Sequence, residues 1–168
     1  GETKRVRDIA ARKQAEETLE QNRIWMENIF NAVEEAILVV NPNRELININ
    51  KAAERIFGYS LDELKNQSTE VLHVDHEHFL EFGQRINKEF EQGKTASFEF
   101  KARRKNGEVF TSEQTVALLK DEKGEKLGIV SVVRDITKRK QFEDKLRDQE
   151  LLYSYILHNA VEAIITLV

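Results

Sequence analysis

Cysteine is absent from the 168-residue chain, and this absence narrows the chemistry that the protein can carry. Without thiols there are no disulfides, no thiolate metal sites and no cysteine adduct to a flavin, which disfavours a flavin photosensor. The lack of disulfides is compatible with an intracellular setting. No apolar run approaches the roughly 20 residues that span a bilayer. We therefore expect a cytoplasmic module, although its parent protein could be anchored in a membrane.

A large net charge and the common catalytic motifs are also missing. The net charge of −4 gives no electrostatic reason to expect binding to nucleic acid or to an acidic membrane surface. No Ser-His-Asp set, phosphate-binding loop or carboxylate pair is evident, so we do not expect this segment to be an enzyme. The hydrophobic fraction of 40% is sufficient for a buried core.

The chain repeats part of its own sequence at a fixed offset. The segment VRDI at 6–9 recurs at 133–136, and EAI at 35–37 recurs at 162–164, in both cases 127 residues later. A fixed period indicates repeated structural units.

The repeat divides the chain into four parts. Residues 1–27 are expected to form the end of a preceding unit and a linker helix, and residues 28–137 one whole domain. Residues 138–160 are expected to form a C-terminal linker helix, and residues 161–168 the first strand of a following unit.

The two linker segments carry apolar residues at alternating spacings of three and four. This spacing is typical of coiled coils, so we expect a homodimer through these helices, either parallel or antiparallel. The alternative is that each apolar stripe packs only on its own domain. The central interface residues would be Leu19, Met26, Ile29, Leu146, Tyr153 and Ile156, with the amides Asn22 and Gln149 at polar positions of the same stripes.

Between the linkers, the pattern predicts an α+β domain with a five-stranded antiparallel sheet covered by helices on one face. Two short strands come first, then short helices, an amphipathic helix over 79–90, and three longer strands. Asn106-Gly107 is a strong hairpin turn signal between the third and fourth strands. The predicted strands are 36–41, 45–49, 95–104, 108–119 and 128–136.

This domain resembles a PAS domain. The resemblance is carried by VNPNR at 40–44, NKAA at 50–53, FGYS at 57–60, KNGEVF at 105–110 and RDIT at 134–137. Their order and spacing together are specific, although no single motif is. The sequence departs from the family pattern at two places, where Asn66 replaces a frequent glycine and Thr111-Ser112 replaces a proline followed by an apolar residue.

The resemblance implies a sensory or relay module inside a larger signalling protein, most typically a sensor histidine kinase or a diguanylate cyclase. The expected partners are therefore a second copy of the chain and the adjacent domains of the same protein. The resemblance also makes the end of the last strand the junction that passes a signal to the exit helix. The junction residues are Asp135, Ile136 and Thr137, with Asp8 as the counterpart in the preceding unit.

A small ligand pocket is expected between the sheet and the amphipathic helix. By strand alternation Ser112 and Gln114 face the core, where a buried polar group without a partner costs about 1–3 kcal/mol. A ligand, a water or a neighbouring side chain would therefore meet them. The apolar walls would be Phe57, Leu72, Phe82, Ile86, Phe98 and Phe100. The alternative is a ligand-free structural spacer.

Three of the four histidines cluster in HVDHEH at 73–78. A metal site is disfavoured because the three side chains do not share one helical face, and Asp75 and Glu77 suit the start of a helix. Haem is a further alternative, because haem-binding PAS domains take an axial histidine from this region and His78 is the best-placed candidate. No cofactor is required by the sequence.

Overall fold

The structure is a computed structural model that describes residues 1–168. Two helices of 31 residues flank, in sequence, a domain of five strands and shorter helices. The elements in chain order are α1 (Glu2–Ala32), β1 (Ala36–Val40), β2 (Leu46–Ile49), α2 (Lys51–Phe57), α3 (Leu61–Leu64), a 3₁₀ turn (Thr69–Leu72), α4 (His76–Glu91), β3 (Ala96–Arg103), β4 (Val109–Lys120), β5 (Lys126–Asp135) and α5 (Thr137–Leu167).

The five strands form one antiparallel sheet in the order β2-β1-β5-β4-β3. The last strand in sequence, β5, therefore lies at the centre of the sheet. It pairs with β1, where Val133 is opposite Ala36, and with β4, where Val133 is opposite Gln114. This arrangement confirms the predicted α+β fold, with its five-stranded sheet and long helices at both ends.

One face of the sheet packs against the short helices and α4 to form the core. The inward positions of β3 and β4 are those that the alternation predicted, because Ala96, Phe100, Phe110, Ser112 and Val116 are buried. Full burial of a large apolar side chain contributes about 1.5–3 kcal/mol. The largest apolar side chains that are fully buried are Phe57, Leu46, Leu64, Ile86, Ile136, Val116 and Val133.

Local signals in the sequence set the ends of the short helices. Asn50 caps α2, and Gly58 ends it in the left-handed conformation with φ 79°. Ser60 and Glu63 form the expected capping box of α3. Asn66 adopts φ 66°. This explains why asparagine can stand where the family often has glycine, since asparagine tolerates the left-handed region better than most residues.

The buried Asn50 side chain also fastens the entry helix to the domain. Its Oδ1 accepts from the backbone N–H of Ile37 (2.9 Å) and of Ala53 (3.0 Å). Its Nδ2 donates to the carbonyl oxygens of Phe30 (3.0 Å) and Glu35 (2.9 Å). One side chain therefore joins the end of α1, the start of β1 and the start of α2.

The helix α1 begins earlier than the repeat predicts. It starts at Glu2 and includes Asp8, whereas the matching VRDI text at 133–136 is the end of a strand. The expected junction at Asp8 is therefore not formed in this chain. The segment before Asp8 is helical and pairs with no strand of the sheet.

Residues 161–167 are also helical, contrary to the strand that the repeat predicts there. The repeated EAI text is helical at 162–164, although its counterpart at 35–37 leads into β1. The first copy pairs with β5, where Ala36 is opposite Val133 and Ile37 is opposite Val132, and the later copy has no such partner. A further unit after this segment stays a prediction. His158 lies inside α5, where its Nε2 is 3.3 Å from Oε1 of Glu162.

Replacing Asn50 with alanine should lower the free energy of unfolding by about 3 kcal/mol, because it leaves several buried backbone groups without partners. Urea denaturation of the purified chain measures this. The matched control is Asn87→Ala, which changes an exposed asparagine of α4 and should stay within about 0.5 kcal/mol of the unchanged protein. Equal losses for the two variants would show that Asn50 does not fasten the entry helix.

Candidate functional site

A small cavity lies inside the domain, between the sheet and α4. Its volume is about 40 Å³, and five of the predicted pocket residues line it. A cavity needs roughly 10–15 Å³ to hold one water molecule, so this one has room for about three or four water-sized groups. The five residues are Phe57, Leu72, Phe82, Ile86 and Gln114.

The other three predicted pocket residues lie behind the cavity wall. Phe98 and Phe100 each pack edge-on against Phe82, with ring centroids 5.3 Å apart in both pairs. Ser112 is fully buried and donates to the carbonyl oxygen of Phe100 at 2.7 Å. These side chains support the wall but do not line the cavity.

Ser112 and Gln114 face the core, as the strand alternation predicts. Gln114 donates from Nε2 to Ser112 Oγ at 2.9 Å. The serine therefore joins the glutamine to the backbone of β3, and the polar pair is met largely by the protein itself. Gln114 still lines the cavity, so its amide is one of the polar groups of the wall.

Sequence reasoning missed the three polar residues at the other side of the cavity: Arg44, Thr69 and His73. Arg44 projects inward from the turn between β1 and β2 and donates to the carbonyl oxygen of Phe79 at 2.8 Å. Its guanidinium lies 3.8 Å from the Phe79 ring centre. The only sequence signal for these polar residues is the histidine-rich segment. From that segment the sequence favours His78 as a ligand-binding histidine, whereas the structure places the buried His73 at the cavity.

Gly83 makes the inward position of Arg44 possible. A Cβ atom at residue 83 would lie 2.8 Å from Nη1 of Arg44, so a larger residue there would displace the guanidinium. Burial lowers the pKa of Arg44 to about 10, and the charge of Glu70 offsets only part of that effect. Arg44 therefore remains a cation at neutral pH.

His73 is also buried, with 5% of its surface exposed. Burial, followed by the charges of Arg44 and His78, lowers the pKa of His73 to about 3. The imidazole is therefore neutral at physiological pH. Its Nε2 lies 3.2 Å from Nη2 of Arg44, and because arginine can only donate, Nε2 is the acceptor.

The other two histidines of the cluster, His76 and His78, lie in the first turn of α4. Asp75 caps the helix by accepting from the backbone N–H of His78, and it also contacts His78 Nδ1 at 2.8 Å. His76 Nδ1 lies 2.8 Å from Glu70. No group of three His, Cys, Asp or Glu side chains is placed to hold a metal ion.

The residues present do not fit haem. His78 does not line the cavity, so its imidazole is not placed to reach an iron inside it. The cavity of about 40 Å³ is also far smaller than ordinary cofactor pockets, which measure roughly 300–1,000 Å³.

The junction between β5 and α5 is held by Asp135. Its Oδ1 accepts from the backbone N–H (2.9 Å) and the hydroxyl (2.6 Å) of Thr137. Its Oδ2 accepts from Arg104 Nη2 at 2.5 Å. Arg104 in turn donates to the carbonyl oxygen of Ile56 and lies 4.0 Å from the ring centre of Phe110. Asp135 therefore connects the first turn of α5 to the domain body.

Two further contacts fix this junction. Ile136 is buried, and its backbone N–H donates to Thr111 at 3.0 Å. In the first turn of α5, Lys140 pairs with Glu99 of β3 at 2.8 Å. That pair is exposed, so it contributes about 0–1 kcal/mol.

The structure thus defines a single-sheet α+β domain with a small internal cavity and a rigid link from its central strand to an exit helix. The chain belongs to the PAS domain family. The family description "PAS domain" matches residues 34–138.

The chain is similar to several known proteins. Sensor protein TdiS of Thauera aromatica is 35% identical over 105 residues, which are 62% of this chain and 19% of that relative, so the chain spans about a fifth of its length. The PAS domain of a protein from Colwellia psychrerythraea has a TM-score of 0.64 and 25% identity over 72% of this chain and 98% of that one. A PAS domain from a two-component sensor histidine kinase has a TM-score of 0.57 and 21% identity, covering 69% and 97%.

None of the helices combines the length and apolar character that crossing a bilayer requires.

The contacts of Asp135 predict a stability difference that depends on pH. Partial burial would raise the pKa of Asp135, but the bonds from Thr137 and Arg104 outweigh burial and hold the pKa below its usual value. The stabilisation is therefore complete above the unfolded pKa of about 3.9 and is lost as pH falls through the lower folded value. Asp135→Asn should cost about 1–3 kcal/mol at neutral pH and progressively less in acid.

Urea denaturation across the acidic range measures the difference in the free energy of unfolding between Asp135→Asn and the unchanged chain. His73 contributes equally to both proteins, so its contribution cancels in this difference. The control is Asp8→Asn, which changes an exposed aspartate of α1 and should leave stability unchanged at every pH. A cost for Asp135→Asn that is the same at neutral and acidic pH would contradict a role for its ionised form.

Proposed function

We propose that this chain is a sensory and signal-relay PAS module of a multidomain signalling protein, with a sensor histidine kinase as the favoured parent. The similarity to the sensor protein TdiS and to a histidine kinase PAS domain supports this proposal. The module itself carries out no catalysis in this proposal, and the output domain lies elsewhere in the parent protein. Its setting would be cytoplasmic.

The observation that carries the proposal is the path of β5. Ile129 and Ser131 of this strand line the cavity. Asp135 lies four residues beyond Ser131, a distance of about 13 Å along a strand, and on the same face because the side-chain period is two. A change at the cavity wall therefore has a short hydrogen-bonded route to the start of α5.

The proposed mechanism is a shift between two positions of β5. Occupancy of the cavity, or the state of a neighbouring domain, would favour one position of the strand. Asp135 would then deliver α5 at a different pitch or register. Such a relay requires a ligand or neighbour that distinguishes the two states, and couplings of this kind typically amount to about 1–3 kcal/mol.

We also propose that α1 and α5 form a homodimer. Neither 31-residue helix has a buried residue, so the apolar stripes do not pack on the domain. Leu19, Met26 and Tyr153 are each at least 65% exposed. Packing against a second copy through the 3-4 spacing would bury these side chains and account for such long helices.

A ligand-free spacer is the second candidate. It is supported by the Ser112–Gln114 pair, which the protein satisfies without a ligand. A spacer would hold output domains apart and in register, but its cavity and its Asp135 contact would have no effect on output beyond stability.

A fusion of the chain through α5 to the catalytic core of a sensor histidine kinase tests the relay. Asp135→Asn should change autophosphorylation several-fold, because it loosens the first turn of α5. The control Asp62→Asn changes an exposed residue of α3 and should not. Unchanged kinase activity in Asp135→Asn, with the protein still folded and dimeric, would favour the spacer.

The double variant Leu19→Asp, Leu146→Asp should be monomeric, because it places charges in both halves of the proposed interface. Sedimentation equilibrium measures the change. The matched control is Leu80→Asp, Leu119→Asp, which alters exposed leucines of the domain body and should remain dimeric. A stable dimer in the first variant would place the interface elsewhere.

A further inference from the structure

The cavity contains two buried polar atoms that the protein does not satisfy. They are Oγ1 of Thr69 and Nδ1 of His73, neither of which has a hydrogen-bond partner. Both residues line the cavity and are at least nine-tenths buried. A buried polar group without a partner costs about 1–3 kcal/mol, so both atoms indicate that something else is bound there.

The protonation of His73 determines whether its Nδ1 requires a hydrogen-bond donor or an acceptor. Because Nε2 accepts from Arg44, the proton of the neutral ring lies on Nδ1. Nδ1 is therefore a donor without an acceptor. The hydroxyl of Thr69 can donate as well, so both free atoms can serve the same acceptor.

Arg44 adds an unpaired positive charge at the same place. It lines the cavity but forms no ion pair. Glu70, the carboxylate whose charge it senses, is itself in contact with His76. A half-buried cation without a counter-ion loses part of its hydration, and an anionic ligand would offset that cost.

The rest of the wall limits the size and character of the ligand. Beside the polar residues, the wall consists largely of apolar side chains such as Leu38, Val40 and Ile129. The volume of about 40 Å³ has room for about three or four water-sized groups. The ligand thus needs an acceptor head with negative charge and a very short apolar part.

We infer that the cavity binds a two-carbon monocarboxylate, with its carboxylate held by Arg44, His73 and Thr69. This inference deepens the proposed function, on which its role as a signal rests. The methyl end of the ligand lies against the wall formed by Leu38 and Ile129. Ser131 and Ile129 place the ligand directly beside β5.

Acetate and acetamide are matched probes, since they share size and shape but only acetate is charged. In a titration of the ¹⁵N-labelled chain in chloride buffer, acetate should shift the amide signals of Thr69, His73 and Gln114 to saturation. It should bind about tenfold or more tightly than acetamide, because charge-assisted hydrogen bonds are roughly twice as strong as neutral ones. Butyrate should bind more weakly than acetate because the cavity is small.

Thr69→Val tests the site without endangering the fold. The hydroxyl has no partner in the protein, so the variant should be at least as stable as the unchanged chain. It should bind acetate about tenfold more weakly. The matched control Thr115→Val changes an exposed threonine of β4 and should keep full affinity.

Equal affinity for acetate and acetamide, shifts confined to surface residues, or unchanged affinity in Thr69→Val would each overturn the inference. These results are separable from the relay itself. If acetate fails to bind while Asp135→Asn still alters kinase output, the ligand class is wrong and the proposed function stands. If acetate binds at these residues and output does not respond, the site stands and the relay is wrong.

Discussion

The central position of β5 is the constraint on which the rest of the structure depends. Hydrogen bonds to β1 and β4 hold both of its edges, so it cannot move without disturbing the whole sheet. The same strand lines the cavity at one point and presents Asp135 at its end. The contact between Asp135 and Arg104 then ties the exit helix to the domain body. The strand β5 therefore connects the cavity in the interior of the domain directly to the exit helix.

The cavity combines a satisfied side with an unsatisfied side. Gln114 and Ser112 bond to each other and to the backbone, so that side is stable without a ligand. Arg44, His73 and Thr69 leave a positive charge and two polar atoms without partners. The hydrogen-bonded side allows the domain to fold without a ligand, and the side with unpartnered groups favours binding of an anion. In the proposed complex, the carboxylate would face the turn that follows β1, from which Arg44 projects.

The fold was predictable because its signals are local. Alternation identified the inward faces of β3 and β4, and Asn50, Gly58 and Ser60 marked the ends of the short helices. The polar side of the cavity was not predictable, since Arg44 reaches it from a turn and depends on the distant Gly83. The repeat gave a wrong prediction for residues 161–167, because the EAI segment that begins β1 in one copy is helical in the other. The presence of neighbouring strands, and not the local sequence, decides whether the segment forms a strand or a helix.

Amide hydrogen exchange at the first turn of α5 tests the central claim most directly. Gln114→Leu alters the cavity wall at a distance from α5 and can be compared in two backgrounds. In the otherwise unchanged chain it should alter exchange at Thr137 and Lys140 about fivefold or more, the lower end of typical allosteric couplings. In the Asp135→Asn background the same change should have little effect on these amides. An equal effect in both backgrounds, or none in either, would contradict transmission through β5 and Asp135.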